Sequence, residues 1–274
     1  MRNRLPAIGI RAAAVVVGAF ALAPFAWMVL TSIKPDADIL RRDPVFWPSE
    51  PTLSRYTDVL DSGFGQALRN SLLVAGATTV AGVAVAALAG YALARFDLPL
   101  RRYLLAMVMS VQMFPMVVLL IPLFVVMRNF NLLNSLPGLV IAYLSFTTPL
   151  AVWMLKNFLE TIPKEMEEAA MTDGATRVSA MLRVVLPLAG PGLAATAIFS
   201  FIAAWNEFLF ALTFVKKESL KTLPVALQSF VGLSQADWGL IMAASVLFTL
   251  PVIGFFLLLR RRLIEGMVSG SVTG

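Results

Sequence analysis

The sequence predicts an all-α membrane protein with six transmembrane helices, and three observations carry that prediction. First, 59% of the 274 residues are hydrophobic and only 14% are charged, against about 45–50% and about 25% in a soluble domain. A chain of this length cannot hide such an excess in one core and keep a soluble surface. Second, uncharged apolar stretches recur at the roughly 20-residue length that a spanning helix needs. Third, the chain has no cysteine and no histidine. That excludes disulfides, thiolate or imidazole metal sites and a Ser-His-Asp nucleophile, and it leaves an intramembrane enzyme little chemistry.

The spans follow in order: 12–33, 70–94, 103–127, 139–158, 188–215 and 238–259. The first has the basic start of a secretory signal (Arg2, Arg4, Arg11). Its apolar run continues through Trp27, Val29 and Leu30, beyond the usual length of such a signal, so it reads as a retained anchor. Before the fourth span, Asn129, Asn131, Asn134, Ser135, Pro137 and Gly138 read as a loop. The fifth continues past Glu207, the only carboxylate within a span. Residues 1–11 and 260–274 flank this membrane domain as an N-terminal segment and a tail.

Lys and Arg orient the chain. One side carries compact clusters: Arg2, Arg4 and Arg11; Arg95, Arg101 and Arg102; Lys156, Lys164, Arg177 and Arg183; Arg260, Arg261 and Arg262. On the other side the basic residues are spread over longer loops that also hold Asp36, Asp38, Asp43, Asp58 and Asp61. The clustered side is expected to be cytoplasmic, with both termini there. The net charge of +6 is then a topology signal, and no nucleic-acid surface is needed to explain it. Pro115, Pro122, Pro149, Pro251 and the glycines Gly82, Gly90 and Gly254 fall inside spans, where neighbouring helices can satisfy the freed backbone groups. Small residues along the second span, from Ala75 to Gly90, favour close helix packing.

The longest cytoplasmic connection, 159–190, is patterned. Thr161, Ile162 and Pro163 open a helix. Glu165, Glu167 and Glu168 lie near its N-terminus, where the helix dipole favours negative charge. Ile162, Met166, Ala169 and Ala170 share one small apolar face. Gly174 suits a left-handed C-cap, and Thr176 starts a second short helix that is expected to stop before Pro187. The product is a helical hairpin whose face fits a partner's groove.

Glu168-Ala169-Ala170, three residues, Gly174, nine residues, then Val184-Val185-Leu186-Pro187 resembles the EAA loop of ABC importer permeases, with Val184 in place of the usual Ile. The resemblance covers nearly the whole chain. Residues 163–191, the run Trp205-Asn206-Glu207-Phe208-Leu209-Phe210-Ala211-Leu212 and the tail from Arg262 are similar to the carbohydrate (maltose and trehalose type) branch, smaller permease subunit. The tail ends Val272-Thr273-Gly274 where that subunit usually has Val-Lys-Gly.

The resemblance implies a type I ABC importer permease fold in a bacterial inner membrane. It implies a heterodimer with a second permease subunit, two ATPase subunits bound from the cytoplasm, and an extracytoplasmic sugar-binding protein or lipoprotein. The ATPase-coupling residues would be Glu168, Ala169, Ala170, Asp173, Gly174, Leu186 and Pro187. Gly266, Ser269, Gly270 and Gly274 would belong to a tail contact with the ATPases. The chain has no G-x-x-x-x-G-K-[ST] loop, so ATP and Mg would be held by partner subunits and no cofactor by this one.

Substrate-pathway candidates are Trp205, Asn206, Glu207 and Gln112, with Ser145, Thr147 and Thr148 behind them. A carboxylate can accept sugar hydroxyls and an indole can stack on a sugar face; equally, an intramembrane Glu207 can be structural. The outer loop 34–68, with Trp47, Tyr56 and four prolines, could serve a docked binding protein or act as a spacer. A glycerol-phosphate-like cargo would want an inward-facing Arg or Lys, and no span interior has one, Lys156 lying at the cytoplasmic end of the fourth. A stand-alone secondary transporter would want several intramembrane charges.

Overall fold

The computed structural model describes residues 4–231 and 237–270, with side chains described for 9–231 and 237–263. The described residues form helices α1 (Arg4–Ser32), α2 (Asp36–Ile39), α3 (Ser54–Val59), α4 (Gly65–Arg95), α5 (Arg101–Ser110), α6 (Met116–Asn129), α7 (Leu136–Glu160), α8 (Glu165–Thr172), α9 (Arg177–Ala180), α10 (Leu186–Leu188), α11 (Gly190–Trp205), α12 (Leu209–Phe214), α13 (Leu223–Ser229) and α14 (Trp238–Gly270). Among the described residues four helices are long and apolar enough to cross a membrane, and taking each of two bent pairs as one span raises the number to six.

Neither 103–127 nor 188–215 is one continuous helix. The stretch 103–127 is broken: Arg101–Met113 and Met116–Asn129 meet at 100°. Pro115 supplies no N–H at the break and holds Phe114 extended, with ψ 132°. The fifth stretch is also jointed. Arg177–Leu188 meets Gly190–Trp205 at 76°, and a second break at residues 206–208 separates α11 from α12. The second hairpin helix does not stop before Pro187. It passes through a π-helical turn at Met181–Val185 and ends at Leu188. By contrast, Pro24, Pro122, Pro149 and Pro251 sit inside unbroken helices. The segment read as loop up to Gly138 ends earlier, because Ser135 caps α7: its Oγ accepts the Gly138 N–H at 3.1 Å, and Pro137 lies in the first turn.

The chain divides into two compact units, residues 1–65 with 226–250 and residues 66–225 with 251–274. In the larger unit, α4, α7 and α11 share a core. Ala87, Tyr91, Ala94, Leu155, Leu159, Ile162, Met181, Val185 and Ala189 are buried together, and Ala86, Leu93, Ala151 and Val152 form a second cluster. Small residues on α4 permit the approach: a Cβ on Gly90 would lie 3.0 Å from the backbone nitrogen of Lys156 and 3.4 Å from the Leu155 Cβ. At the end of this unit away from α8, Asn70 Nδ2 donates to the carbonyls of Ser219 and Lys221, each at 2.9 Å. Ser71 Oγ accepts the Leu223 N–H at 2.7 Å, and Asn134 Oδ1 accepts the Lys216 N–H at 2.7 Å.

In the smaller unit the segment after α1 folds back on that helix. The Thr52 N–H donates to Ile33 O at 2.9 Å, and Ser32 Oγ lies 2.6 Å from the Tyr56 hydroxyl. Arg55 binds the Lys34 carbonyl and, at 2.5 Å, Asp36. Asp38 accepts both the N–H and the hydroxyl of Ser49 at 2.8 Å.

Two predictions follow from these contacts. Gly90→Val should lower the thermal midpoint of the detergent-solubilised protein, with an overpacking cost of about 1–3 kcal/mol. Gly76→Val, at a position with nothing near its Cβ, should leave it nearly unchanged. The Ser49 N–H and hydroxyl hold the Asp38 carboxyl below its ordinary range. A carboxyl depressed on folding contributes stability above its unfolded pKa, about 4, and loses it as pH falls through the folded value. Proteolysis of the 34–52 segment should therefore be slow at neutral pH and rise below about pH 4, and Ser49→Ala should flatten that rise.

Candidate functional site

The 159–190 connection forms two short helices whose turn is closed by backbone chemistry. Gly174 has φ +92°. Its N–H donates to Met171 O, and the Ala175 N–H donates to Ala170 O, both at 3.0 Å. This is the paired closure of a Schellman C-cap, in which the left-handed residue costs glycine nothing. Thr176 then caps α9, its Oγ1 accepting the Ser179 N–H at 3.2 Å. Both features agree with the sequence reading.

Besides the buried Ile162, Met181 and Val185 of this connection, α8 has one buried residue of its own. Glu167 turns its carboxylate into the bundle, where the Tyr91 hydroxyl donates to Oε1 and Arg95 Nε donates to Oε2 at 3.1 Å. Arg95 also donates to the Ile162 carbonyl at 3.0 Å. The Arg95 and Glu167 side chains are only 3% and 4% exposed, so this is an ion pair removed from solvent. Such a pair adds little net stability, but it is expensive to break one-sidedly. It fixes α8 to the end of α4. Nearby, Glu160 accepts from Lys156 at 2.6 Å and from Arg101. The Arg177 guanidinium lies 5.0 Å from the Phe96 ring centre.

With Glu167 turned inward, the rest of α8 faces out. Glu168, Ala169, Asp173 and Gly174 are exposed and Ala170 is partly so. Ile162, read as part of the outward apolar face, is instead buried in the bundle core. It precedes α8 and does not follow that helix's spacing. Met166 stays outward at 47% exposure. Leu186 packs against the core and Pro187 is exposed. The sequence reading missed Tyr91, Arg95 and Glu167 as a group. It took Glu167 for a dipole residue and Arg95 for a topology marker. No local signal marked Glu167 out, since the residues one turn away from it, Pro163, Lys164, Ala170 and Met171, are exposed or half-buried.

The pathway candidates do not converge on the hairpin. Glu207 is buried, and its carboxylate accepts the Phe210 N–H at 2.8 Å and the Ala211 N–H at 3.1 Å, capping α12 after the break in the fifth stretch. The buried phenol of Tyr143 bears on the same carboxylate. Trp205 is fully buried and stacks on Phe201 with ring centres 5.6 Å apart. Asn206 is exposed and donates to Ile202 O at 2.9 Å. Gln112 lies in the turn before the Pro115 break and donates to Phe146 O at 2.8 Å. Among the tail residues, Gly274 lies outside the described residues. Gly266, Ser269 and Gly270 end α14 beyond the last described side chain.

The family profile of binding-protein-dependent transport system inner membrane components matches residues 82–267. A sulfoquinovosyl glycerol transport system permease protein of Agrobacterium fabrum is 38% identical over 254 residues, covering 92% of this chain and 89% of that one. A trehalose transport system permease protein of Mycobacterium tuberculosis is 39% identical over 262 residues, covering 94% of each. Among solved structures, a chain of a bacterial ABC transporter involved in the import of the acidic polysaccharide alginate shares the fold. The TM-score is 0.77 at 24% identity, over 95% of this chain and 98% of that one.

The buried pair yields a direct test. Glu167→Ala strands the Arg95 guanidinium and should destabilise the protein by about 3–5 kcal/mol. Replacing both Glu167 and Arg95 with methionine should recover most of that loss. A thermal-unfolding double-mutant cycle in detergent measures the coupling, and additive losses would rule out the pairing.

Proposed function

The chain belongs to the family of binding-protein-dependent transport system inner membrane components, and on that premise we propose that it forms half of the translocation pathway of an ATP-driven saccharide importer. Family membership makes it a multi-pass inner-membrane permease subunit that works with ATPase subunits and a substrate-binding protein. The finer reading is a heterodimer with a second permease subunit, served by two ATPases that hold ATP and Mg, and by an extracytoplasmic binding protein or lipoprotein that delivers the sugar. Both termini then lie in the cytoplasm, on the side of the arginine clusters.

One observation carries the coupling role. An exposed helix with a small face, Glu168 to Gly174, is fixed through buried Glu167 to Arg95 on a membrane helix. Docked in an ATPase cleft, α8 would be carried with the ATPases when they close on ATP. The buried pair would pass that displacement to α4, and the docked and released positions would bias two arrangements of the spans. Ala169 lets the partner approach closely, Gly174 sets the turn, and Glu168 and Asp173 offer charge to partner cations.

A saccharide cargo is supported by the transport systems to which the two similar permeases belong, both named for glycosides, and by span interiors that lack a cation for a phosphate ester. The caps made by both oxygens of Glu207 favour a structural role for it over direct sugar contact. Trp205, stacked and buried, would then shape the wall of the path. A stand-alone secondary transporter is not compatible with the family.

Co-purification tests the coupling. The tagged wild-type chain, isolated in mild detergent from its native host, should bring an ATPase subunit and a second permease. Gly174→Asp adds a strained left-handed residue and a charge on the docking surface. It should lose the ATPase while retaining the second permease, and uptake should fall at least about tenfold, as expected when a docking contact is broken. Isolation of the wild type without any ATPase would overturn the reading. For Glu207→Gln, unchanged uptake KM with a lowered thermal midpoint is expected. A raised KM at unchanged stability would return Glu207 to the sugar path.

A further inference from the structure

In the smaller unit a cavity of about 350 Å³ opens where α1 ends. Trp27, Thr31, Lys34, Asp38, Arg41 and Trp238 are among the residues that line it. Its polar groups are held in an unusual state. Lys34 is 2% exposed, yet its ammonium pairs with no carboxylate among the described residues. It sits over the Trp27 ring instead, with Nζ 3.9 Å from the ring centre. Asp38, the acid whose charge acts on it, is already engaged by Ser49. The Thr31 hydroxyl is buried without a hydrogen-bond partner. Burial pulls the Lys34 amine below its ordinary range, with Asp38 opposing. A buried cation and a buried donor without acceptors are costly unless an outside group answers them. The oppositely charged, acceptor-only group that would answer both is an oxyanion.

The setting selects the source of that oxyanion. The flank of α1 leading to the cavity is apolar and bare, with Val15, Val16, Phe20 and Leu22 exposed, and none of its spanning window is buried inside the chain. Trp27 and Trp238 are both about half exposed, as indoles are at a membrane–water interface. A soluble anion would use only the cavity, whereas a glycerophospholipid uses the cavity with its phosphate and the bare flank with its acyl chains. We infer that this pocket seats the phosphate of a membrane glycerophospholipid, with Lys34 and Arg41 supplying charge and Thr31 a hydroxyl donor. The inference rests on the membrane location and not on the cargo or the coupling loop. Lys34 receives the phosphate as a point charge, and exposed Arg41 adds a forked donor set at the rim.

Native mass spectrometry of the full chain with added phosphatidylglycerol tests this. The wild type should retain one lipid adduct at collision energies that strip the remainder. Lys34→Met and Arg41→Gln should each cut the retained fraction by about tenfold, the loss expected for one charge-assisted contact. Arg41 is exposed, so Arg41→Gln should keep the wild-type thermal midpoint and decides the matter if Lys34→Met fails to fold. Equal retention by the wild type and Arg41→Gln would overturn the proposal. Displacement of the adduct by inorganic phosphate at constant ionic strength would also overturn it, assigning the pocket to a soluble oxyanion.

Discussion

The ion pair between Arg95 and Glu167 is the contact on which the site depends. A carboxylate this deeply buried must be answered, and here it is answered from one helix, by Arg95 and Tyr91 one turn apart on α4. That requirement sets the rotation of α8 about its own axis. Once Glu167 points inward, helical spacing turns Glu168 and Ala169 outward. The Schellman closure at Gly174 then ends the helix before its exposed face can wind back toward the bundle. A hydrophobic substitute of similar volume could hold α8 as strongly. What the pair adds is register: guanidinium, phenol and carboxylate satisfy one another in one arrangement, whereas an apolar contact tolerates sliding.

A second constraint comes from lipid as solvent. Helix breaks in a membrane free backbone groups that water cannot reach. The break after α11 is answered by Glu207, whose two oxygens take N–H groups at the start of α12. This makes an intramembrane carboxylate a structural cap and explains its presence without a ligand. Close packing of α4 on α7 depends on the absence of side chains at positions such as Gly90. In lipid, helix association relies on such contact, because burying apolar surface there gains little. The joints therefore sit beside rigid contact, and a two-state motion needs both.

Much of this protein was legible in its sequence. Composition determined the solvent, because the excess of apolar residues had nowhere else to go. Hydropathy marked the apolar stretches, and Gly174 and Thr176 marked a C-cap and an N-cap, because those signals are local and act through the chain's own backbone; the helix expected to open at residues 161–163 starts only at Glu165. The motif from Glu168 to Pro187 marked the hairpin. Tertiary structure alone decided where stretches bend. Pro115 breaks its helix, while Pro122, Pro149 and Pro251 do not, since the outcome turns on which neighbours can satisfy the freed groups. It also decided which of three nearby glutamates is buried. Glu165, Glu167 and Glu168 look alike to a dipole argument, and only the position of Arg95, 72 residues earlier, separates them. Nor does sequence tell a topology arginine from a buried anchor. The difference is whether the folded chain brings a carboxylate to meet it, and that is a property of three-dimensional proximity.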